Sequence, residues 1–153
     1  MNGRQRVQVA LDQAGLTDRV RELEQTARSA ADAAAALGCE VGAIGSSLVF
    51  IADDRPVLVV TSGAHRVDLD RVAAHLGASS LRMASPDQVR EVTGFAIGGV
   101  APVGHVSELE VLVDEDLAQF DQIWCAAGHT HAVFWASYAE LLALTGGQPV
   151  RVA

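Results

Sequence analysis

Residues 93–105 read T-G-F-A-I-G-G-V-A-P-V-G-H. Phe95, Ala96 and Ile97 read as the end of a buried strand. Gly98 and Gly99 then open a loop, Pro102 stiffens it, Gly104 turns it again and His105 closes it. Adjacent glycines after an apolar run free the backbone for positive φ and let bare N–H groups approach a ligand. Such groups suit a carbonyl oxygen, an oxyanion or a phosphate. Taken alone the run reads first as a Gly/Pro-rich connection, so the flanking sequence has to carry the reading.

Immediately upstream, Ser85-Pro86-Asp87-Gln88 starts a helix: serine caps it, proline takes the first helical position and glutamine completes a capping box. The helix is expected to reach Thr93 and stop at Gly94, and Leu81 to Ala84 before it is a short strand. Downstream, Glu110 to Val113 is a strand followed by Asp114-Glu115-Asp116, read as a solvated acidic turn and helix start. Gln122 to Ala127 and Ala132 to Trp135 are strands bridged by Gly128-His129-Thr130-His131. Ser137 caps a last helix ending near Gly146, and Pro149 to Val152 adds an edge strand.

In the first half, Val7, Ala10, Leu11 and Ala14 recur at helical spacing, with Gly15 as the stop. Arg19 to Leu23 alternates as a short strand would. Ser29 caps an alanine-rich helix to Leu37 that stops at Gly38. Ser46 to Ala52 and Pro56 to Thr61 are β-rich and apolar, joined by an Asp53-Asp54-Arg55 turn. Asp68 to Leu76 is a further helix. Hairpins therefore stand beside strand–helix–strand units, which predicts a mixed α/β fold rather than a purely parallel sheet or a sandwich.

The 153 residues are half hydrophobic, enough for one domain, 1–153, with a real core. No apolar run reaches the length of a membrane span. The basic start M-N-G-R-Q-R-V lacks a following apolar segment, so no secretory signal is expected. Cys39 and Cys125 are far apart and give neither a disulfide framework nor a zinc spacing. A reduced, cytoplasmic protein is the expectation. The net charge is −8, and arginine supplies every cation, because the chain has no lysine. Such a chain is not expected to coat duplex DNA non-specifically. If it meets nucleic acid, it should hold one end in a pocket.

Several side chains invite chemistry. His129 and His131 are two apart, which on a strand would put them on one face, and His105 could join them on a metal, but His-x-His has no supporting Cys or Glu pattern here. The polar rim of a pocket accounts for them better, and no metal or other cofactor is expected. Gly45-Ser46-Ser47 lacks the full nucleophile-elbow pattern of serine hydrolases. Trp124 and Trp135 read as core or pocket wall.

Several stretches together resemble the YbaK/prolyl-tRNA-synthetase-associated (ProX) domain family. They are T-A-R-S-A-A-D-A-A-A-A-L-G-C-E-V-G-A-I (26–44), S-L-V-F (47–50), P-V-L-V-V (56–60) and S-G-A-H-R-V-D (62–68). The most specific is L-R-M-A-S-P-D-Q-V-R-E-V-T-G-F-A-I-G-G-V-A-P-V-G-H (81–105), and V-D-E-D-L, A-A-G-H-T-H-A-V-F and E-L-L-A-L-T-G-G follow in order. The resemblance implies a barrel-like mixed β-sheet surrounded by helices. It also implies trans-editing: hydrolysis of the ester joining a wrong, small amino acid to a tRNA, often tRNA-Pro. The acceptor end of an aminoacyl-tRNA would be the partner, with an aminoacyl-tRNA synthetase as a further one.

On that reading, backbone N–H groups of Gly98 and Gly99 would meet the tetrahedral oxyanion, one such donor being worth about 3 kcal/mol. Gly128, His129 and His131 would line the same pocket. Ser62, Gly63 and His65 would form a third wall, with Ile44 and Gly104 also on the substrate side. One departure stands out. The family motif I-x-K-S-L-V-F places a lysine where Ile44-Gly45-Ser46-Ser47-Leu48 puts Ser46. A serine hydroxyl carries no charge, so weakened activity, or binding of a tRNA end, nucleotide or synthetase without hydrolysis, is the alternative.

Overall fold

A computed structural model describes residues 1–153. One curled mixed sheet carries the architecture, with helices against it. Its strands are β1 (Val20–Glu22), β2 (Ile44–Ala52), β3 (Arg55–Ser62), β4 (Leu81–Met83), β5 (Glu110–Asp114), β6 (Ile123–His129), β7 (Ala132–Ala136) and β8 (Gln148–Val150). The order across the sheet is β1-β7-β6-β2-β3-β5-β8, with β4 also pairing β2. The hairpins β2/β3 and β6/β7 are antiparallel. The joins β2/β6, β3/β5 and β5/β8 are parallel. Each parallel join unites segments distant in sequence, as such pairs require.

The helices are α1 (Gly3–Gln13), α2 (Ala30–Leu37), α3 (Leu69–Leu76), α4 (Pro86–Thr93) and α5 (Tyr138–Thr145). Their ends are set locally. Ser29, Asp68, Ser85 and Ser137 each accept a hydrogen bond from an amide of the first turn, and Ser85 and Ser137 complete capping boxes with Gln88 and Glu140. No helix is long and apolar enough to cross a membrane.

Helix α1 buries Val7 and Leu11, one turn apart, into the main core with Phe95, Cys125 and Phe134. Leu11 has no exposed surface, so Leu11→Ala would cost about 2–5 kcal/mol. Along β2 the side chains alternate. Val49 and Ile51 enter this core, Phe50 and Ala52 enter a second cluster with Val57, Val59 and Leu112, and Ile44 packs under α2 with Ala33, Ala34 and Trp124.

Two expectations are corrected. Phe95–Ile97 is not a strand. Gly94 ends α4 in the left-handed conformation, and the Phe95 N–H then donates to Thr93 Oγ1 (3.0 Å) instead of a neighbouring strand. The second concerns the acidic turn, which is not wholly solvated. Asp114 ends β5 with 1% of its surface exposed, accepting from the Ser62 N–H at 2.9 Å and the Asp116 N–H at 3.0 Å.

Candidate active site

A gap in the sheet makes the site. The β2/β6 ladder covers only Ile44↔Trp124 and Gly45↔Cys125. The β2/β4 ladder starts at Phe50↔Met83. Between them the strand edge from Ser46 to Val49 lies outside both ladders, apart from the Val49 carbonyl, which accepts from the Ala84 N–H at 3.0 Å. Ile44 turns its carbonyl the other way, to the Gly63 N–H (2.8 Å). By the strict alternation of an antiparallel edge, the Ser47 N–H and C=O therefore face the gap. The Ser47 hydroxyl is buried and has no hydrogen-bond partner.

A cavity of about 320 Å³ fills this gap, the lower end of the range for small-molecule sites. Ile44, Ser46 and Ser47 form its strand wall, Ile97, Gly98 and Val100 one lip, His129 and Thr130 another, and Arg28, Ser29 and Ala30 the side beneath α2. Trp124 and Cys125 close it with Val133. Cys125 is not a nucleophile there: burial pushes its thiol up to about 12, so it is protonated at neutral pH.

The glycine lip is a tight turn. The Gly99 N–H donates to the Ala96 carbonyl at 3.0 Å, Gly98 has φ +93°, and Asp53 is the one non-glycine residue with positive φ. A positive φ only at the third position defines a type II turn, which favours glycine there. Gly99 is small for another reason. A Cβ on it would lie 3.3 Å from the His129 Cα, so its lack of a side chain lets the two lips touch. Its N–H is committed to the turn. The N–H groups of Gly98 and Val100 meet no acceptor within the chain.

His129 is exposed, and its orientation is fixed from behind. The His131 N–H donates to His129 Nδ1 at 3.1 Å. In the neutral ring the proton then sits on Nε2, so that nitrogen is a hydrogen-bond donor. His131 itself is tied to Thr26, with Nε2 2.6 Å from Oγ1. It lines, with Gly128, Arg4 and Glu22, a second hollow whose border with the cavity is His129 and Ala132.

Of the residues expected at the site, the fold thus gathers Ile44, Ser46, Gly98 and His129 on one cavity. Gly128 and His131 lie next door, and Ser62, Gly63, His65, Gly99 and Gly104 are not in its lining. Ser62 Oγ donates to the Gly42 carbonyl at 2.8 Å, and the Gly104 carbonyl receives Arg6 Nε at 2.9 Å. His65 lies between two carboxylates, Nδ1 2.8 Å from Asp114 and Nε2 3.2 Å from Asp116. The donor atoms of these three lie within 4.8 Å of one another. Sequence reading missed that grouping because β3 and β5 pair only in the folded sheet. His105 does not join His129 and His131. Its Nε2 is 2.7 Å from the Ala101 carbonyl, its ring meets Phe95 edge-on, and burial lowers its proton affinity.

Sequence reasoning also passed over Arg28. The signal for Arg28 was present: it is the one cation between Arg21 and Arg55.

A family model described as aminoacyl-tRNA editing domain matches residues 24–144. The chain belongs to the aminoacyl-tRNA editing domain family. Among relatives of this editing domain, YwhH of Bacillus subtilis (strain 168), described as uncharacterized, is 32% identical over 123 residues, 80% of this chain and 78% of that one. The proline–tRNA ligase of Leuconostoc mesenteroides subsp. mesenteroides is 39% identical over 106 residues, which is 63% of this chain and only 18% of the ligase. A crystal structure of a candidate trans-editing enzyme for prolyl-tRNA synthetase matches with a TM-score of 0.92 at 44% identity, covering 99% of this chain and 97% of that one. The editing-domain fold and the mixed barrel-like sheet expected from sequence therefore agree.

Proposed function

We propose that the protein hydrolyses the ester of a small amino acid on the 3′ end of a tRNA, with tRNA-Pro the first candidate. The observation that carries this reading is the convergence of Ser46, Gly98 and His129 on one cavity whose lining contains no carboxylate. The ester carbonyl enters the gap between β2 and β6. A water, positioned beside the neighbouring ribose hydroxyl, adds to the carbonyl carbon. The carbonyl oxygen becomes an oxyanion and is met by the free N–H groups of Gly98 and Val100. The ester C–O bond then breaks, and the departing ribose oxygen takes the proton released by the nucleophile. His129, donating through Nε2–H, holds the ribose or carbonyl oxygen, and the Ser46 hydroxyl orients the nucleophile. No step calls on a metal or other cofactor.

The small alanine, isoleucine and valine surfaces beside Trp124 suit a small, uncharged side chain. Excluding larger residues by bulk is easier than choosing between methylenes. An acidic chain would hold only the acceptor end, with a synthetase supplying further tRNA contacts, and its place of action would be the cytoplasm. Neutral Ser46 favours a second reading, a module that binds the charged end without turnover.

The test is deacylation of Ala-, Cys- and Ser-charged tRNA by the protein and by Ser46→Lys. Hydrolysis of at least one substrate is expected. If neither form turns over any of them, while both bind a non-hydrolysable aminoacyl-adenosine, the binding module replaces the enzyme.

A further inference from the structure

Nineteen acidic residues give the chain its charge of −8, yet none lines the cavity. Arg28 is the one permanently charged side chain in that lining. It is exposed, and none of the chain's ion pairs or cation–aromatic contacts involves it. Arg66, Arg71 and Arg90 are unpaired as well but lie outside the lining, and the arginines beside the core and the second hollow are committed. Arg19 grips Glu140 and covers Trp135, Arg6 spans the carbonyls of Gly94 and Gly104, and Arg4 pairs with Glu22.

Arg28 also stands immediately before the cap of α2. Ser29 Oγ accepts the Asp32 N–H, and the Ser29 carbonyl accepts the Ala33 N–H. The N–H groups of Ala30 and Ala31 are left without an acceptor in the chain, and Ser29 and Ala30 line the cavity beside Arg28. A free guanidinium fork next to open first-turn amides is an arrangement that takes a phosphate oxygen pair.

If the cavity holds an aminoacyl ester, one anion must come with it: the phosphodiester just 5′ of the ribose that carries the ester. We propose that Arg28, helped by the first-turn amides of α2, holds that phosphodiester at the cavity mouth. Arg28 thereby becomes a substrate-binding residue of the editing reaction, supplying from α2 the positive charge that the β2 wall lacks at Ser46. This rests on the reading of the cavity as an acyl-ester site.

The test compares two amide-linked probes, 3′-alanylamino-3′-deoxyadenosine and its 5′-monophosphate, by calorimetry. Wild-type protein should bind the phosphorylated probe at least tenfold more tightly. Arg28→Ala should erase that advantage while binding the unphosphorylated probe as wild type does, which also establishes that the variant is folded. Arg28→Lys should restore part of it, because a point charge lacks the planar fork. With charged tRNA, Arg28→Ala should raise KM about tenfold and leave kcat unchanged. A phosphate advantage that survives Arg28→Ala overturns the assignment, with the cavity reading intact. Failure of wild-type protein to bind either probe overturns the cavity reading and the assignment together.

Discussion

Replacing Gly98 by alanine tests the oxyanion reading at one peptide bond. A Cβ at this position meets nothing closer than Thr130 Cγ2 at 3.6 Å, so space is not the obstacle. The obstacle is φ at +93°. An L-residue held there costs about 1–2 kcal/mol. The turn can escape that cost by changing from type II to type I, which rotates the Ile97–Gly98 peptide by about half a turn. The N–H of residue 98 belongs to that peptide, so relaxation swings the donor away from its former direction. Losing one oxyanion donor costs about 3 kcal/mol of transition-state stabilisation, which slows turnover by roughly two to three orders of magnitude. Gly98→Ala should therefore lose about two orders of magnitude in kcat with a Tm drop of about 2–8 °C. Gly77→Ala is the control. Gly77 has φ +66° with nothing within 4 Å and is not in the cavity lining. It should show a similar Tm drop and full activity. Single-turnover deacylation of charged tRNA, beside thermal melts, reads both effects. A Gly98→Ala variant that deacylates at the wild-type rate refutes the oxyanion role of this peptide.

Other consequences follow from groups around the site. Arg19 holds the Glu140 carboxyl down at about 2, mainly through their side-chain hydrogen bonds. A depressed carboxyl contributes stability above its unfolded value and loses it as pH falls, so this contribution should fade between about pH 4.5 and 2. Because Glu140 keeps a third of its side chain in solvent, the expected size is about 1 kcal/mol. Chemical denaturation of Glu140→Gln should show the loss at pH 7 and little difference near pH 2; an equal difference at both would refute it. Tyr138 has a buried hydroxyl without a partner, and burial, with Asp114, Glu115 and Asp116 nearby, raises its pKa and keeps the phenol neutral. Tyr138→Phe should be neutral or stabilising by up to about 1 kcal/mol, and a loss of that size by urea titration would show that the hydroxyl is used. The buried Cys125 thiol should resist iodoacetamide while the partly exposed Cys39 is labelled, with deacylation unimpaired. Peptide mapping that found Cys125 labelled first would contradict this.

Much of the local structure was legible in the chain because its causes act over three or four residues. Ser29, Ser85 and Ser137 fix helix starts by bonding amides in their own first turns, and Gly38, Gly94 and Gly146 fix stops by adopting left-handed φ. The hairpins read correctly for the same reason. Phe95–Ile97 was misjudged because an apolar triplet does not reveal whether a partner strand is present. Asp114 was misjudged because its amide donor, from Ser62, lies 52 residues away in sequence.

The sequence by itself determined the helices, the hairpins and, through ordered motifs over nearly its whole length, the family. Only the tertiary structure decided which residues share a cavity. Ser46, Gly98 and His129 meet because β2 pairs with β6 for two residues and then parts from it. The length of a parallel ladder between distant segments is set by packing on both faces of the sheet, which leaves no short-range signature. The same non-local pairing drew Ser62 and His65 to Asp114, and brought the one free cation of the α2 lead-in to the mouth of the site.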